Sequence, residues 1–375
     1  MKRIVGVLIL TAVALLPVFA PDRFPLGPQS GPRPLLGLYA SLLLPLGVVF
    51  ICWRMTDGDD RRRKAGFLAL LCLLAGLLTY VHHTVIDRGA YFPHQTNLEW
   101  QIEINEAAVS RDTDFVPHSY RFLPDSLVRL TAWLCGSFVV ARTLYRFSFG
   151  LLLLFLIHRF ARKFLPRARA ALVVLFYCAV YPVTILAYAG QLADPMSHVS
   201  FVAAFLALHA GAFPAFLLAI SIGALAKESV VAMIGYYVLF GRREDPMFWR
   251  NLILACAICA GTLIMARLPA LRDGFSYGQV SGVGLSHISD NLGAWRVWLP
   301  QVLFTGGLFL PFVYLGWSRA ASMPKRLTLF LLPVLGLSNL VFSWIHEVRN
   351  FVPLLIPMAV ITVGYLWPES GEGNP

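Results

Sequence analysis

Charge is what this sequence has least of. Of its 375 residues 14% are Asp, Glu, Lys or Arg, against 58% hydrophobic. A soluble domain draws about 25% of its residues from these four types to cover its surface, so a water-soluble globule is a poor fit. Cysteines are absent from polar loops. Cys52, Cys72, Cys135, Cys178, Cys256 and Cys259 all fall in apolar segments, where no oxidising compartment reaches them. Cys256 and Cys259 have CxxC spacing but no second pair and no nearby His, so they read as small core residues, not as a metal or redox site. The motifs of soluble enzymes are missing: no GxGxxG after a strand, no P-loop, no HExxH, no GxSxG. No internal repeat of the kind seen in transporters with inverted halves stands out.

What the chain does have is apolar runs of membrane-spanning length. The first follows Met1-Lys2-Arg3 and ends near Ala20. It reads as a retained helix, with a signal peptide as the competing reading. A second covers 35–53 and a third about 65–83, with Arg61-Arg62-Arg63-Lys64 between them. After a polar stretch, 84–125, comes the short run 126–141. Further spans are expected at about 143–157, 170–189, 199–213, 251–267, 297–317, 327–344 and 351–367. Residues 214–240 are apolar except at Lys227-Glu228-Ser229, which splits them into two half-spans. The fold class that follows is an all-α membrane protein of about 12 transmembrane helices (11–13). Residues 1–64 form an N-terminal hairpin, 65–367 the core and 368–375 a cytoplasmic tail.

Net charge is +11. In a soluble protein that points to nucleic acid, but here its placement matters more. With the N-terminus inside and 126–141 lying on the surface, every dense basic cluster falls in a cytoplasmic loop. The whole excess then sits on that side, the outer side is balanced, and the positive-inside rule is satisfied. Letting 126–141 span, or making 214–240 a single helix, throws basic clusters outside. A nucleic-acid partner is therefore not expected. The expected location is the plasma (inner) membrane, with both termini cytoplasmic and the polar face outside.

Candidate functional residues are the outer acids: Asp87, Glu99, Glu103, Glu106, Asp112, Asp114, Asp125, Asp194, Glu228 and Glu347. A solvated loop is the plain alternative for each. Three arrangements raise some of them above it. Glu99, Glu103 and Glu106 recur at i, i+4, i+7, so a helix over 97–109 puts them on one face. Leu98, Ile102 and Val109 are then free to dip into lipid, and Trp100 suits the interface. Lys227-Glu228 interrupts half-spans shorter than the roughly 20 residues a crossing needs, so the pair is expected below the outer surface in a wet cavity. A mutual ion pair is the competing reading. His346-Glu347-Val348-Arg349 stands in a short outer turn, where Arg349 can grip a phosphate or simply pair with Glu347. Asp194 lies in a tight outer loop, as a candidate or as a helix cap. Arg121, between Tyr120 and Phe122, can contact a lipid phosphate or anchor the loop. On the inner half polar groups are few, apart from scattered Ser, Asn339 and His158.

The layout resembles the GT-C superfamily of membrane glycosyltransferases. The likeness rests on a long outer loop with two surface helices (97–109 and 126–141) and on Tyr120-Arg121-Phe122-Leu123-Pro124 between them. It rests also on Asp194 in a short loop, on Gly223-Ala224-Leu225-Ala226-Lys227-Glu228, and on Glu347-Val348-Arg349-Asn350-Phe351 before the last helix. Where many members carry an acidic pair after the first core helix, this chain has only Asp87-Arg88-Gly89-Ala90-Tyr91. The resemblance implies a polyprenyl-phosphate-linked sugar donor in membrane lipid and an acceptor glycan, lipid or protein in cell-envelope assembly. Asp87, Glu99 or Glu103 would take the acceptor's proton. Lys227 and Arg349, with Arg121, Glu228 and His346 near the donor, would meet the departing phosphate. Asp194 and Glu228 are the possible ligands of a divalent cation, though no metal is required. The competing functions are a transporter or flippase of lipid-linked saccharides, and a polymerase, ligase or acyltransferase of another membrane fold.

Overall fold

The computed structural model describes residues 60–87, 90–92, 95–112, 118–185, 191–272, 285–345 and 347–368. The two spans expected within 1–59, residue His346 and the tail beyond 368 lie outside them, as does the side chain of Asp87. Among the described residues the chain is helical, apart from one two-stranded antiparallel hairpin, β1 (Ala90–Phe92) and β2 (Gln95–Thr96). The hairpin joins α1 (Asp60–Asp87) to α2 (Asn97–Ser110) and was not expected from the sequence. Among the described residues four helices are long and apolar enough to cross a membrane: Phe138–Ala161, Phe248–Leu268, Ser322–Phe342 and Val348–Leu366. Gly66–His82, Phe213–Ala226 and Glu228–Phe240 are shorter apolar helices.

Local chemistry sets the boundaries and corrects several expected ones. The helix expected at 126–141 is α3 (Phe122–Cys135), which starts and ends earlier. Gly136, at φ 71°, takes the left-handed conformation and donates its N–H to Ala132. Only glycine adopts this at little cost, which ends the helix. Ser137 is extended, and its side chain caps the next helix by accepting from the Val140 N–H. So 138–141 belong to α4 (Phe138–Ala161), which starts before the expected 143. Next come α5 (Arg167–Ile185), α6 (Ala193–Ala210) and α7 (Phe213–Ala226). Asp194 therefore sits in the first turn of a helix, not in a loop. Pro214 begins α7, where a missing N–H costs nothing. Lys227 is extended (φ −161°, ψ 125°), and a 3₁₀ turn over Glu228–Val231 leads into α8 (Ala232–Phe240).

The remaining elements are α9 (Phe248–Arg272), α10 (Leu285–Gly293), α11 (Trp295–Gly307), α12 (Leu310–Gly316), α13 (Ser322–Phe342) and α14 (Val352–Leu366). The single span expected at 297–317 is two helices, broken after Gly306-Gly307 with Pro311 starting the second. Part of the loop expected at 268–296 is α10, fastened by Asn291, which donates to the Ser343 carbonyl at 2.8 Å.

The last span is the centre of the bundle. In its most apolar stretch 78% of Val348–Leu366 is buried, against 22% for Phe248–Leu268 at the rim. A helix apolar all round belongs inside. α14 packs on α5, α12 and α13, while α6 packs on α4 and α7. Hydrogen bonds bring the C-terminal ends of α7 and α13 to the N-terminal ends of α6 and α14, and His82 of α1, Arg146 of α4 and Tyr181 of α5 lie together with His198 of α6 toward the same end. Arg159, Arg162, Arg167, Arg242, Arg319 and Lys325 lie at the other end.

Candidate functional site

Three polar knots occupy the end of the bundle away from the basic clusters. The deepest is built on Asp194, in the first turn of α6. Its Oδ1 accepts from Lys227 Nζ at 2.9 Å, and its Oδ2 from Arg349 at 3.2 Å and from the Gln191 N–H at 3.1 Å. Arg349 also donates to Glu347 at 2.8 Å. Glu347 accepts in addition from Ser343 Oγ (3.0 Å) and Asn350 Nδ2 (3.2 Å). Lys227 donates to Asn350 Oδ1, and Asn350 donates to Asn339 Oδ1 at 2.6 Å. Asp194, Lys227, Glu347 and Arg349 are all buried, with Arg349 only 1% exposed. Two cations and two carboxylates balance, which is how buried charge is kept affordable. Removing one member leaves an unmatched charge, at a typical cost of about 3–5 kcal/mol.

The second knot is half-buried. Glu228 takes Arg121 at 3.1 Å on one carboxylate oxygen and Arg267 at 3.3 Å on the other. Arg121 also donates to Gln191 Oε1 at 3.1 Å, which ties this knot to the first through Gln191. Lys227 and Glu228 do not pair with each other. The extended backbone at Lys227 sends neighbouring side chains to opposite sides, and each finds partners on other elements. The expected choice at 347–349 resolves the other way: Glu347 does pair with Arg349, inside a larger network.

The third knot fixes the roof. Arg142 donates to Gln101 at 2.6 Å, and Asn105 donates to the Asp125 carboxylate at 3.0 Å. Burial first, with only partial relief from the Asn105 hydrogen bond and Arg146, pushes the Asp125 carboxyl up to about 7. Burial, then the neighbouring Arg121, holds His118 down at about 3, so that imidazole is neutral at physiological pH. The expected carboxylate face of α2 is present, with Glu99, Glu103 and Glu106 exposed. The opposite face is not simply apolar. Gln101 and Asn105 are buried beside Ile104 and Ala108 and stitch α2 to α3 and α4. Large apolar side chains are exposed on α3 as well, at Leu130, Trp133 and Leu134.

Of the expected site residues, the structure brings together Asp194, Lys227, Glu347 and Arg349, and links Arg121 and Glu228 to them. Glu99 and Glu103 are exposed on α2. Asp87 ends α1, and His346 lies outside the described residues. Both possible metal ligands have their oxygens engaged by cations, Asp194 by Lys227 and Arg349, Glu228 by Arg121 and Arg267. Among the described residues no three His, Cys, Asp or Glu converge as a metal site. The sequence reading missed Gln191, Arg142, Arg267 and Asn339 as members. Asn339, expected on the inner half, lies near the C-terminal end of α13 and belongs to the Asp194 knot, away from the basic clusters. Alternation of helix direction was the signal that could have placed it there. Comparison with family models, with curated proteins and with solved structures returns no match to this chain.

Proposed function

We propose that this chain is an integral membrane glycosyltransferase of GT-C type. It moves a sugar from a polyprenyl-phosphate-linked donor to an acceptor on the non-cytoplasmic face of the plasma membrane. One observation carries the reading. Two cations from distant parts of the sequence, Lys227 and Arg349, converge on Asp194 in a buried network at the end opposite the basic clusters, and a third, Arg121, is tied to it through Gln191. Recessed cations just below a membrane surface suit a phosphate headgroup that enters from the lipid. Carboxylates stand near that end as well: Asp87 at the close of α1, Glu99 and Glu103 on α2.

The chemistry follows from that inventory. The acceptor oxygen attacks the sugar's anomeric carbon, and its proton passes to a carboxylate. The bond from that carbon to the phosphate oxygen breaks, and the phosphate leaves with the electron pair. Lys227 and Arg349 exchange part of their hold on Asp194 and Glu347 for the new charge. A transporter or flippase needs polar groups through the full depth of the bilayer. Near the basic end, the buried polar side chains among the described residues are His158, Thr328 and Thr362, which favours the enzyme.

The test is transfer from polyprenyl-phosphate-linked sugars in proteoliposomes. Arg349→Ala and Lys227→Ala are expected to lower the rate about a hundredfold or more, as loss of a charge-stabilising donor does. One of Asp87→Asn, Glu99→Gln and Glu103→Gln is expected to abolish transfer in a chain that still folds. Full activity in all five variants overturns the site.

A further inference from the structure

A helix leaves its last carbonyls without partners of its own, and another group has to meet them. The end of α13 has no glycine to close it. Ser343 is extended there, and Trp344-Ile345-His346 follow. The partner comes from α10. Asn291 is 0% exposed. Its Nδ2 donates toward the carbonyls of Asn339 (3.3 Å), Leu340 (3.1 Å) and Ser343 (2.8 Å), and its Oδ1 accepts from the Ile345 N–H at 2.9 Å. His287 stands one turn earlier on the same face of α10. Its Nε2 lies 2.8 Å from the same Ser343 oxygen, and its ring meets Trp344 edge to face, with centroids 4.5 Å apart.

The segment held in this way carries the later members of the Asp194 knot. Ser343 Oγ donates to Glu347 at 3.0 Å and accepts from Asn350 at 3.1 Å. The Glu347 N–H donates to the Trp344 carbonyl and the Asn350 N–H to the Glu347 carbonyl. From this turn Arg349 reaches Asp194 and Glu347, and Lys227 ends on Asn350. Asn291 and His287 therefore hold the turn by its backbone, and the turn holds the charges.

The residue types fit that task. An amide donates and accepts at once, so Asn291 serves both the carbonyls that end α13 and the N–H that opens the turn. An apolar pair at 287 and 291 would also pack α10 against α13, but it would leave the direction of the turn open. We propose that Asn291 and His287 are positioning residues. By fixing the backbone at 343–345 they set where Glu347, Arg349 and Asn350 stand, and so where the cations of the knot meet the donor's phosphate.

This deepens the glycosyltransferase reading and rests on it for the phosphate; the hold on the turn requires no transfer. That hold is measured by hydrogen–deuterium exchange on the full chain in lipid nanodiscs, for the wild type, Asn291→Leu and His287→Phe. Both substitutions keep the volume roughly, and Phe keeps a ring against Trp344. Amides of 343–350 are expected to exchange about tenfold faster in Asn291→Leu and about threefold faster in His287→Phe, as loss of several hydrogen bonds or of one implies. Exchange in α4 is expected to match the wild type. Unchanged exchange over 343–350 in either variant overturns the proposal, as does an equal acceleration in α4, the mark of general destabilisation. If Asn291→Leu fails to fold, His287→Phe decides by the same two criteria. In proteoliposomes Asn291→Leu is expected to lower kcat about tenfold with the donor's KM nearly unchanged. Added to Arg349→Ala it is expected to cost less than about twofold more, because it acts through a residue already gone. Equal fractional losses in both backgrounds overturn the route through Arg349. Transfer at the wild-type rate from a chain whose turn exchanges faster overturns the positioning role and leaves the glycosyltransferase reading. A wild type that transfers no sugar removes that reading, and the exchange result then decides the hold on the turn alone.

Discussion

At the scale of the residue, Asp125 and Asp194 make opposite use of burial. Asp194 is surrounded by cations and lies in a charge-balanced knot. Asp125 has an amide, Asn105, as its near partner, and burial dominates, so its proton is held up to about 7. The sign of the linkage follows. Between 3.8 and about 7 the folded chain binds a proton that the unfolded chain has released. The stability tied to this group is therefore complete below the lower value and is lost as pH rises through about 7. Asp125→Asn keeps an acceptor for Asn105 and removes the titration. Its unfolding temperature in detergent should stay flat from about pH 5 to about pH 8 where the wild type falls, and the gap at the upper end should reflect a few kcal/mol. Parallel curves for the two proteins would refute the assignment. None of this was legible in the sequence. Asp125 reads there as one outer acid among ten, because burial by α2 and α4 depends on packing, not on local pattern.

At the scale of the element, the turn at Lys227 is the piece most fully legible beforehand. Half-spans too short to cross, meeting at two charges, told of a break in the helix, and a break is what the chain has. What the pattern could not tell was the partner of each charge, since those lie dozens of residues away: Asp194 on α6 for Lys227, Arg121 and Arg267 for Glu228. The turn closes because Gly223 has no side chain. A Cβ there would stand 2.5 Å from Val230 Cγ1 and 2.9 Å from Ser200 Cβ. Gly223→Ala must push the 3₁₀ turn outward, against a cost of about 1–3 kcal/mol for overpacking. It is expected to lower the unfolding temperature and to reduce transfer by displacing Lys227. Unchanged values for both would show that the neighbours yield freely. The surface helices illustrate the opposite limit. The i, i+4, i+7 carboxylates of α2 were correctly placed on one face, but its buried face holds Gln101 and Asn105, which no hydrophobic periodicity reveals.

At the scale of the whole molecule, the polar knots and the basic clusters lie at opposite ends of the helices. That separation was legible from loop charge alone, because the positive-inside rule needs only sequence and span order. Which polar groups meet was legible only in part: Asp194, Lys227 and Arg349 were each singled out, yet their convergence is a property of the folded bundle. The separation predicts a labelling pattern. In intact cells a membrane-impermeant thiol reagent should modify a cysteine placed at Glu103 and leave one at Lys325 unmodified until the membrane is opened. The measurement is made in a background lacking the native cysteines. Equal labelling of both positions, or the reverse order, would refute the orientation.

Asp194 and Arg349 are 155 residues apart in the chain. The pair therefore has a place in time as well as in space. During synthesis Asp194 is made long before Arg349 exists, and until then Lys227 is the cation it can meet. A chain cut short before Arg349 leaves the second Asp194 oxygen without that donor, and a buried acceptor left unmet is costly. The knot thus has an order of assembly: it closes only once the segment leading into α14 has been made.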